Sequence, residues 1–150
     1  MRKQKQRNVE AIYALSPMQQ GMLFHSLYDP EESLYVVQCA CTLSGKVSQE
    51  ALQQAWQEVV NRHSLLRTFF VWQDLKEPVQ IVRQHVPLPW LSLDWRAIAP
   101  AQQELAEFLA ADVARGFDLQ QAPLMRLALI QVTDETYHLV WSFHHLLLDG

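Results

Sequence analysis

The chain contains no apolar run long enough to cross a bilayer. Its longest, over residues 139–148, is interrupted by Ser142, His144 and His145, whereas a spanning helix needs roughly 20 mostly apolar residues. Basic residues follow Met1, but no apolar segment with a small-residue cleavage site comes after them, so no secretory signal is visible. Together these absences lead to the expectation of a cytoplasmic protein without a membrane partner. Cysteine is scarce as well. Cys39 and Cys41 stand two apart with no CxxC pair to accompany them, a spacing that rarely bridges on a strand and falls short of a metal site. Both are expected to be core thiols, since free cysteine behaves as a small hydrophobe. There is no internal repeat, and the 17 glutamines are spread through periodic segments, so a low-complexity chain is excluded.

The charge of one sign that a nucleic-acid surface requires is also missing. Net charge is −4, and Arg2, Lys3, Lys5 and Arg7 hold four of the twelve basic groups, leaving eight basic against sixteen acidic residues for the remainder. A folded body of that sign has no basic stripe for a polyanion. What is present is apolar material: 49% of residues are hydrophobic and 10% aromatic, enough for a packed core in a single domain or lobe.

Periodicity divides the chain into alternating elements. Ser16 and Pro17 signal a helix start, with Met18, Met22, Leu23 and Leu27 on one face and Asp29-Pro30 as the stop. Residues 35–43 read as a strand. Ser48 caps a helix whose inward stripe is Leu52, Ala55, Trp56, Val59 and Val60, with Gln57 largely outside it. Strands are expected at 66–72 and 78–82, the two forming a hairpin, and a short one at 91–94. Pro100 opens a helix with Leu105, Phe108, Leu109 and Val113 inward and Gly116 as its stop. Strands over 124–132 and 137–144 close the chain. The class is α/β (α+β), helix layered on sheet.

The last strand runs into His144-His145-Leu146-Leu147-Leu148-Asp149-Gly150. Alternation places Leu139, Trp141, Phe143 and His145 on one face and Val140, Ser142 and His144 on the other. Two adjacent imidazoles on a strand therefore cannot aim at the same substrate. One should face a cleft while its neighbour packs inside the fold. Imidazole suits proton transfer near neutrality, Asp149 could orient a histidine or hold the turn through an arginine, and Gly150 allows close backbone approach. Spacing alone leaves open a structural pair, a metal site from His144, His145 and Asp149, and a triad through Ser142, though no nucleophile elbow surrounds that serine.

Residues 144–150 match HHxxxDG, the signature of condensation domains and chloramphenicol acetyltransferase-like acyltransferases. Residues 62–70, RHSLLRTFF, resemble the condensation-domain motif RHExLRTxF, with Ser64 replacing the glutamate. Residues 16–25, SPMQQGMLFH, resemble the family's opening helix, with Gly21 where the general SxAQxR pattern has arginine. Phe117-Asp118-Leu119 followed by Pro123-Leu124-Met125-Arg126 is similar to FDLxxxPLxR. All four occur in the family's order, from about residue 10 onward, and the chain resembles the N-terminal part of a nonribosomal peptide synthetase condensation domain.

The resemblance implies a two-layer helix-on-sheet lobe, the N-terminal half of a two-lobed fold with a tunnel between the lobes. It implies amide-bond-forming acyl transfer between aminoacyl or peptidyl groups carried as phosphopantetheine thioesters on upstream donor and downstream acceptor carrier domains, with no cofactor or metal bound by the chain itself. His145 would face the tunnel and position or deprotonate the acceptor amine, or stabilise the tetrahedral intermediate. His144, Asp149 and Gly150 would be structural, with Asp149 paired to Arg62 or Arg67 and the Gly150 amide near the reacting carbonyl. Heterocyclisation domains carry DxxxxD in place of the two histidines. An epimerisation domain and a non-catalytic remnant or interaction module are the alternatives. Residues 1–15 resemble an acceptor docking segment for an upstream synthetase subunit, beside the plainer reading of a basic tail. Residues 16–150 are then the N-terminal lobe, ending after HHxxxDG. Such a piece alone is expected to be inactive, with Leu146, Leu147 and Leu148 uncovered.

Overall fold

The computed structural model describes residues 8–29, 34–98 and 101–148. Eleven short elements alternate through them. Strand β1 (Val9–Ala14) leads to helix α1 (Pro17–Tyr28), strand β2 (Val36–Ser44) and helix α2 (Gln49–Arg62). A 3-10 turn (Ser64–Arg67) precedes strands β3 (Thr68–Val71), β4 (Val79–Arg83) and β5 (Trp90–Asp94). Helix α3 (Ala101–Arg115) and strands β6 (Met125–Thr133) and β7 (Thr136–His144) complete the chain. The strands form two sheets, an antiparallel β1-β4-β3 and a mixed β2-β7-β6-β5 in which only β5 runs parallel to its neighbour.

Local chemistry explains the helix starts. Ser16 Oγ accepts from the Gln19 amide at 3.2 Å and Gln19 Oε1 accepts from the Ser16 amide at 2.9 Å, a reciprocal capping box on α1 with Pro17 as its first residue. Ser48 Oγ accepts from the Ala51 amide at 3.3 Å and caps α2. Gly116, at φ +61°, ends α3 in the left-handed region where a side chain is strained. Pro30 and Pro100, the expected stop and start, lie outside the described residues.

Strand β7 is central and covered on both faces. Leu139 and Phe143 pack with Met125, Leu127, Leu129 and Val60 of α2. Val140, Ala128 and Ile130 pack on the opposite face with Trp95 and, from α3, Leu105, Phe108 and Leu109. A third cluster joins the two sheets: Leu15, Met22, Leu23, Phe70, Leu119, Leu124 and Leu146.

Several expectations need correction. Met18 and Leu27 are exposed, so only Met22 and Leu23 anchor α1. On α2, Ala55 and Val59 lie outward. Gln57 instead turns inward, donating to the Val86 carbonyl at 2.9 Å and accepting from the Leu88 amide at 2.8 Å. Residues 64–67 coil into the 3-10 turn rather than extending the strand. Cys39 and Cys41 are free but exposed, because β2 is an edge of its sheet and α2 packs over β6 and β7 instead. Residues 9–14, assigned from sequence to the leading segment, form β1 and bond to β4. The smaller sheet therefore begins at Val9, within the leading segment. Leu146 is buried and Leu147 and Leu148 are half-buried, so this stretch is not uncovered.

Candidate active site

The two histidines sit where β7 leaves its sheet. The pairing of β7 with β2 sets Val36 opposite His144, and the His144 amide donates to the Leu124 carbonyl at 3.0 Å. The next amide, His145, donates to the Tyr35 carbonyl at 2.8 Å, and the Leu147 amide closes a turn onto the His144 carbonyl at 3.0 Å. Backbone bonds thus fix both residues before either side chain is considered.

Their environments differ. The His144 ring is buried against Tyr35, with ring centroids 6.0 Å apart, and its Nδ1 accepts from the Leu146 amide at 3.1 Å. An imidazole accepting through Nδ1 is neutral there. Burial, reinforced by the neighbouring His145, lowers its pKa from 6.5 to about 4. His145 is half-buried and lines a cleft of about 250 Å³ between the end of β7 and α1, together with Ser16, Gln19 and Met22. His144 lines a different cavity of about 280 Å³, shared with Tyr35, Trp72, Phe117 and Leu119.

The sequence segments that share a family pattern meet here. The cluster joining the sheets takes Met22 and Leu23 from the opening helix, Phe70 from residues 62–70, Leu119 and Leu124 from residues 117–126, and Leu146 from the histidine segment. Gln19 reaches across to the Leu146 carbonyl at 3.4 Å and exchanges amide hydrogen bonds with Gln80 at 3.2 and 3.4 Å. Neither Gln19 nor Gln80 was marked by sequence as a neighbour of the histidines. Gln80 is one of many glutamines, and the pairing of β4 with β1 and β3 brings it there.

Of the two arginines, Arg62 is exposed at the end of α2. Arg67 is buried. Its Nη1 meets Glu10 Oε2 at 2.6 Å and the carbonyls of Arg83 and Gln84, and its Nε donates to the Val60 carbonyl at 3.2 Å. Arg67 therefore ties α2, β1 and β4 together. Asp149 and Gly150 lie outside the described residues, as does any pairing of Asp149 with an arginine. Among the described residues no three groups of metal-ligating type converge. Ser142 is committed elsewhere, its hydroxyl donating to Asp112 Oδ2 at 2.5 Å.

That last contact belongs to a polar cluster the sequence reading missed. Asp112 also accepts from Arg126 Nε at 2.6 Å and from Gln38 Nε2 at 2.9 Å. Burial pushes its carboxyl up, but the Arg126, Ser142 and Gln38 contacts outweigh burial and hold it below the usual carboxylate range. One signal was available: Arg126 stands inside the apolar run of residues 124–130, and a charge on a buried strand requires a partner.

A family model, the condensation domain, matches residues 9–150. The chain belongs to the condensation domain family. One of the linear gramicidin synthase proteins of Brevibacillus parabrevis is 52% identical over 146 residues, 96% of this chain. Tyrocidine synthase 2 of the same organism is 38% identical over 95% of it. The chain spans only 2% and 4% of those two proteins. In fold, the chain is similar to the starter condensation domain of rhizomide synthetase, with a TM-score of 0.86 at 23% identity, covering 94% of this chain and 35% of that one. It also matches a four-domain nonribosomal peptide synthetase bound to AMP and glycine, with a TM-score of 0.83 at 24% identity, covering 94% of this chain and 11% of that one. The α/β, helix-on-sheet lobe is thus a condensation-domain fold, here built on two sheets. No helix among the described residues is long and apolar enough to cross a membrane.

Proposed function

We propose that this chain forms the N-terminal lobe of a condensation domain that joins carrier-bound aminoacyl or peptidyl thioesters through an amide bond in nonribosomal peptide synthesis. The acceptor's amine nitrogen attacks the donor's thioester carbonyl, the C–S bond breaks, and the phosphopantetheine thiol leaves. His145 acts on the attacking amine, holding it or taking its proton, while neutral His144 stays inside the fold. Asp149 pairs with Arg62 or Arg67 to fix the turn after the histidines. The observation that carries this reading is the convergence of four family-pattern segments in one apolar cluster at the cleft that His145 lines.

The test is amide formation by the intact condensation domain with loaded donor and acceptor carriers. His145→Ala is expected to lower the rate by about 10² to 10⁴, the range for a positioned acid-base group, with little change in Tm. His144→Ala is expected to act mainly on Tm. A silent His145→Ala beside a His144→Ala that loses rate without stability would defeat the assignment. Solvent deuterium appearing at the donor α-carbon without amide formation would indicate epimerisation instead.

In the same proposal residues 1–15, which carry four basic side chains among the first seven, serve as the docking segment for an upstream synthetase protein. Deletion of residues 1–8 should abolish transfer from a separate upstream protein yet spare transfer from a fused carrier. Equal loss in both formats would refute this role.

A further inference from the structure

One transverse row of the larger sheet is polar. Gln38 on β2 stands opposite Ser142 on β7, and Ser142 stands opposite Arg126 on β6. Cross-strand partners share a face, and on this face Asp112 descends from the last turns of α3 to contact all three. Its two carboxylate oxygens accept from Arg126 Nε, Ser142 Oγ and Gln38 Nε2 at 2.6, 2.5 and 2.9 Å. Arg126 also donates back to the end of the same helix, to the Asp112 carbonyl at 2.5 Å and the Gly116 carbonyl at 2.6 Å. Carbonyls of a helix's last turn have no partner inside the helix, so this guanidinium both neutralises Asp112 and closes α3. Its carbon lies 4.2 Å from the centre of the Phe117 ring, fixing the residue that leaves the helix.

The row lies two residues before His144 on β7 and two residues beyond Leu124, whose carbonyl accepts the His144 amide. On its other side, the chain leaving Gly116 reaches Leu119 within three residues. The Leu119 carbonyl accepts from the Phe70 amide of the second sheet at 2.8 Å. Its side chain joins Met22 and Leu23 of α1 and Leu146 in the cluster beside the His145 cleft. The Asp112–Arg126 pair is thus fastened both to the strand that carries the histidines and to the segment that supports the helix facing them.

The geometry points to Asp112 and Arg126, with Ser142 and Gln38, as positioning residues that set the place of His145 relative to α1 in the acyl-transfer reaction. The inference rests on the reading of His145 given above. Asp112 and Arg126 touch no substrate in this scheme. They act through the position of a strand end, and a misplacement of about 1 Å at a reacting group costs on the order of 10²-fold in rate.

The experiment compares Ser142→Ala, Ser142→Thr, Asp112→Asn and His145→Ala in the intact condensation domain. The readings are kcat and KM with loaded carriers, Tm, and the His145 imidazole resonances. Ser142→Ala removes one hydroxyl from the row and stays informative where Asp112→Asn does not fold. A fall in kcat of about tenfold or more for Ser142→Ala is expected, with KM unchanged, the His145 resonances displaced and the rate recovered in Ser142→Thr. A loss confined to Tm, or to KM with kcat unchanged, or undisplaced His145 resonances, would overturn the inference while an inactive His145→Ala leaves the proposed function standing. An active His145→Ala would remove both.

Discussion

Acidification isolates the burial of His144. In the unfolded chain its imidazole takes up a proton near pH 6.5, and in the folded chain only near about 4. Between those values the unfolded state binds a proton that the folded state refuses, so stability falls as pH falls. The contribution is complete above pH 6.5 and exhausted once pH drops through the folded value. At 1.36 kcal/mol per pH unit the window amounts to on the order of 3 kcal/mol, a large part of the roughly 5–15 kcal/mol typical of a domain. Urea denaturation followed between about pH 7.5 and about pH 4.5 should show the midpoint falling with an unchanged slope against denaturant. His144→Asn supplies the control. The Asn Oδ1 can accept the Leu146 amide as Nδ1 does, it cannot be protonated in this range, and the difference between the two proteins cancels every other titrating group. Asp112 adds its own acid sensitivity, but its pKa is lowered from 3.8. That contribution is intact down to the carboxylate range and is lost only below it. The variant should start less stable, because the smaller side chain leaves space, and then decline less steeply on acidification. If both proteins lose stability in parallel, or if the His144 resonance titrates at or above pH 6, the burial argument fails.

Leu129 is fully buried, and Leu129→Ala should cost about 2–5 kcal/mol in urea denaturation, whereas a cost below 1 would mean that the sheet face over α2 is loosely packed. Glu10→Gln should cost less than about 1 kcal/mol, because that carboxylate is 45% exposed. Arg67→Ala strands buried carbonyls and should cost about 1–3 kcal/mol, so equal losses for these two would contradict the anchoring role of Arg67. Cys39 and Cys41 should both react with a thiol reagent in the native protein. Protection of either until denaturant is added would place it in the core.

The parts of the fold legible in the sequence are those fixed by local chemistry. Ser16 and Ser48 each announce a helix by the hydrogen bond their side chain makes three residues on, and Gly116 announces an end by the backbone angle it permits. Strand β1 gives no such signal. Ile12 and Tyr13 are both largely exposed, so no alternation marks a buried face, and the strand is held instead by pairing to β4 and by the Glu10–Arg67 contact. The cysteines misled for a related reason. A Val- and Cys-rich run reads as buried, but burial of β2 depends on its place at the edge of the sheet, which is a property of strand order. The site divides in the same way. His144 and His145 were visible as a pair on opposite faces of a strand. Gln38, Asp112 and Ser142 are ordinary residues on three separate elements, and only the register of β2, β7 and β6 together with the packing of α3 makes them one cluster.

The same register gives the histidine pair its chemical asymmetry. Strand β7 has helices on both faces, so alternation alone would bury both imidazoles. His144 is the last residue in register and remains under the cover that Tyr35 provides. One residue later the chain turns, with the Leu147 amide bonding back to the His144 carbonyl, and His145 emerges at the cleft beside α1 rather than beneath α2. A neutral His144 then fills the interior and receives the Leu146 amide without placing an unpaired charge inside the fold at neutral pH. A charged side chain at position 144 would have required its own buried partner. A purely apolar one would have left the Leu146 amide without an acceptor inside the turn that orients His145.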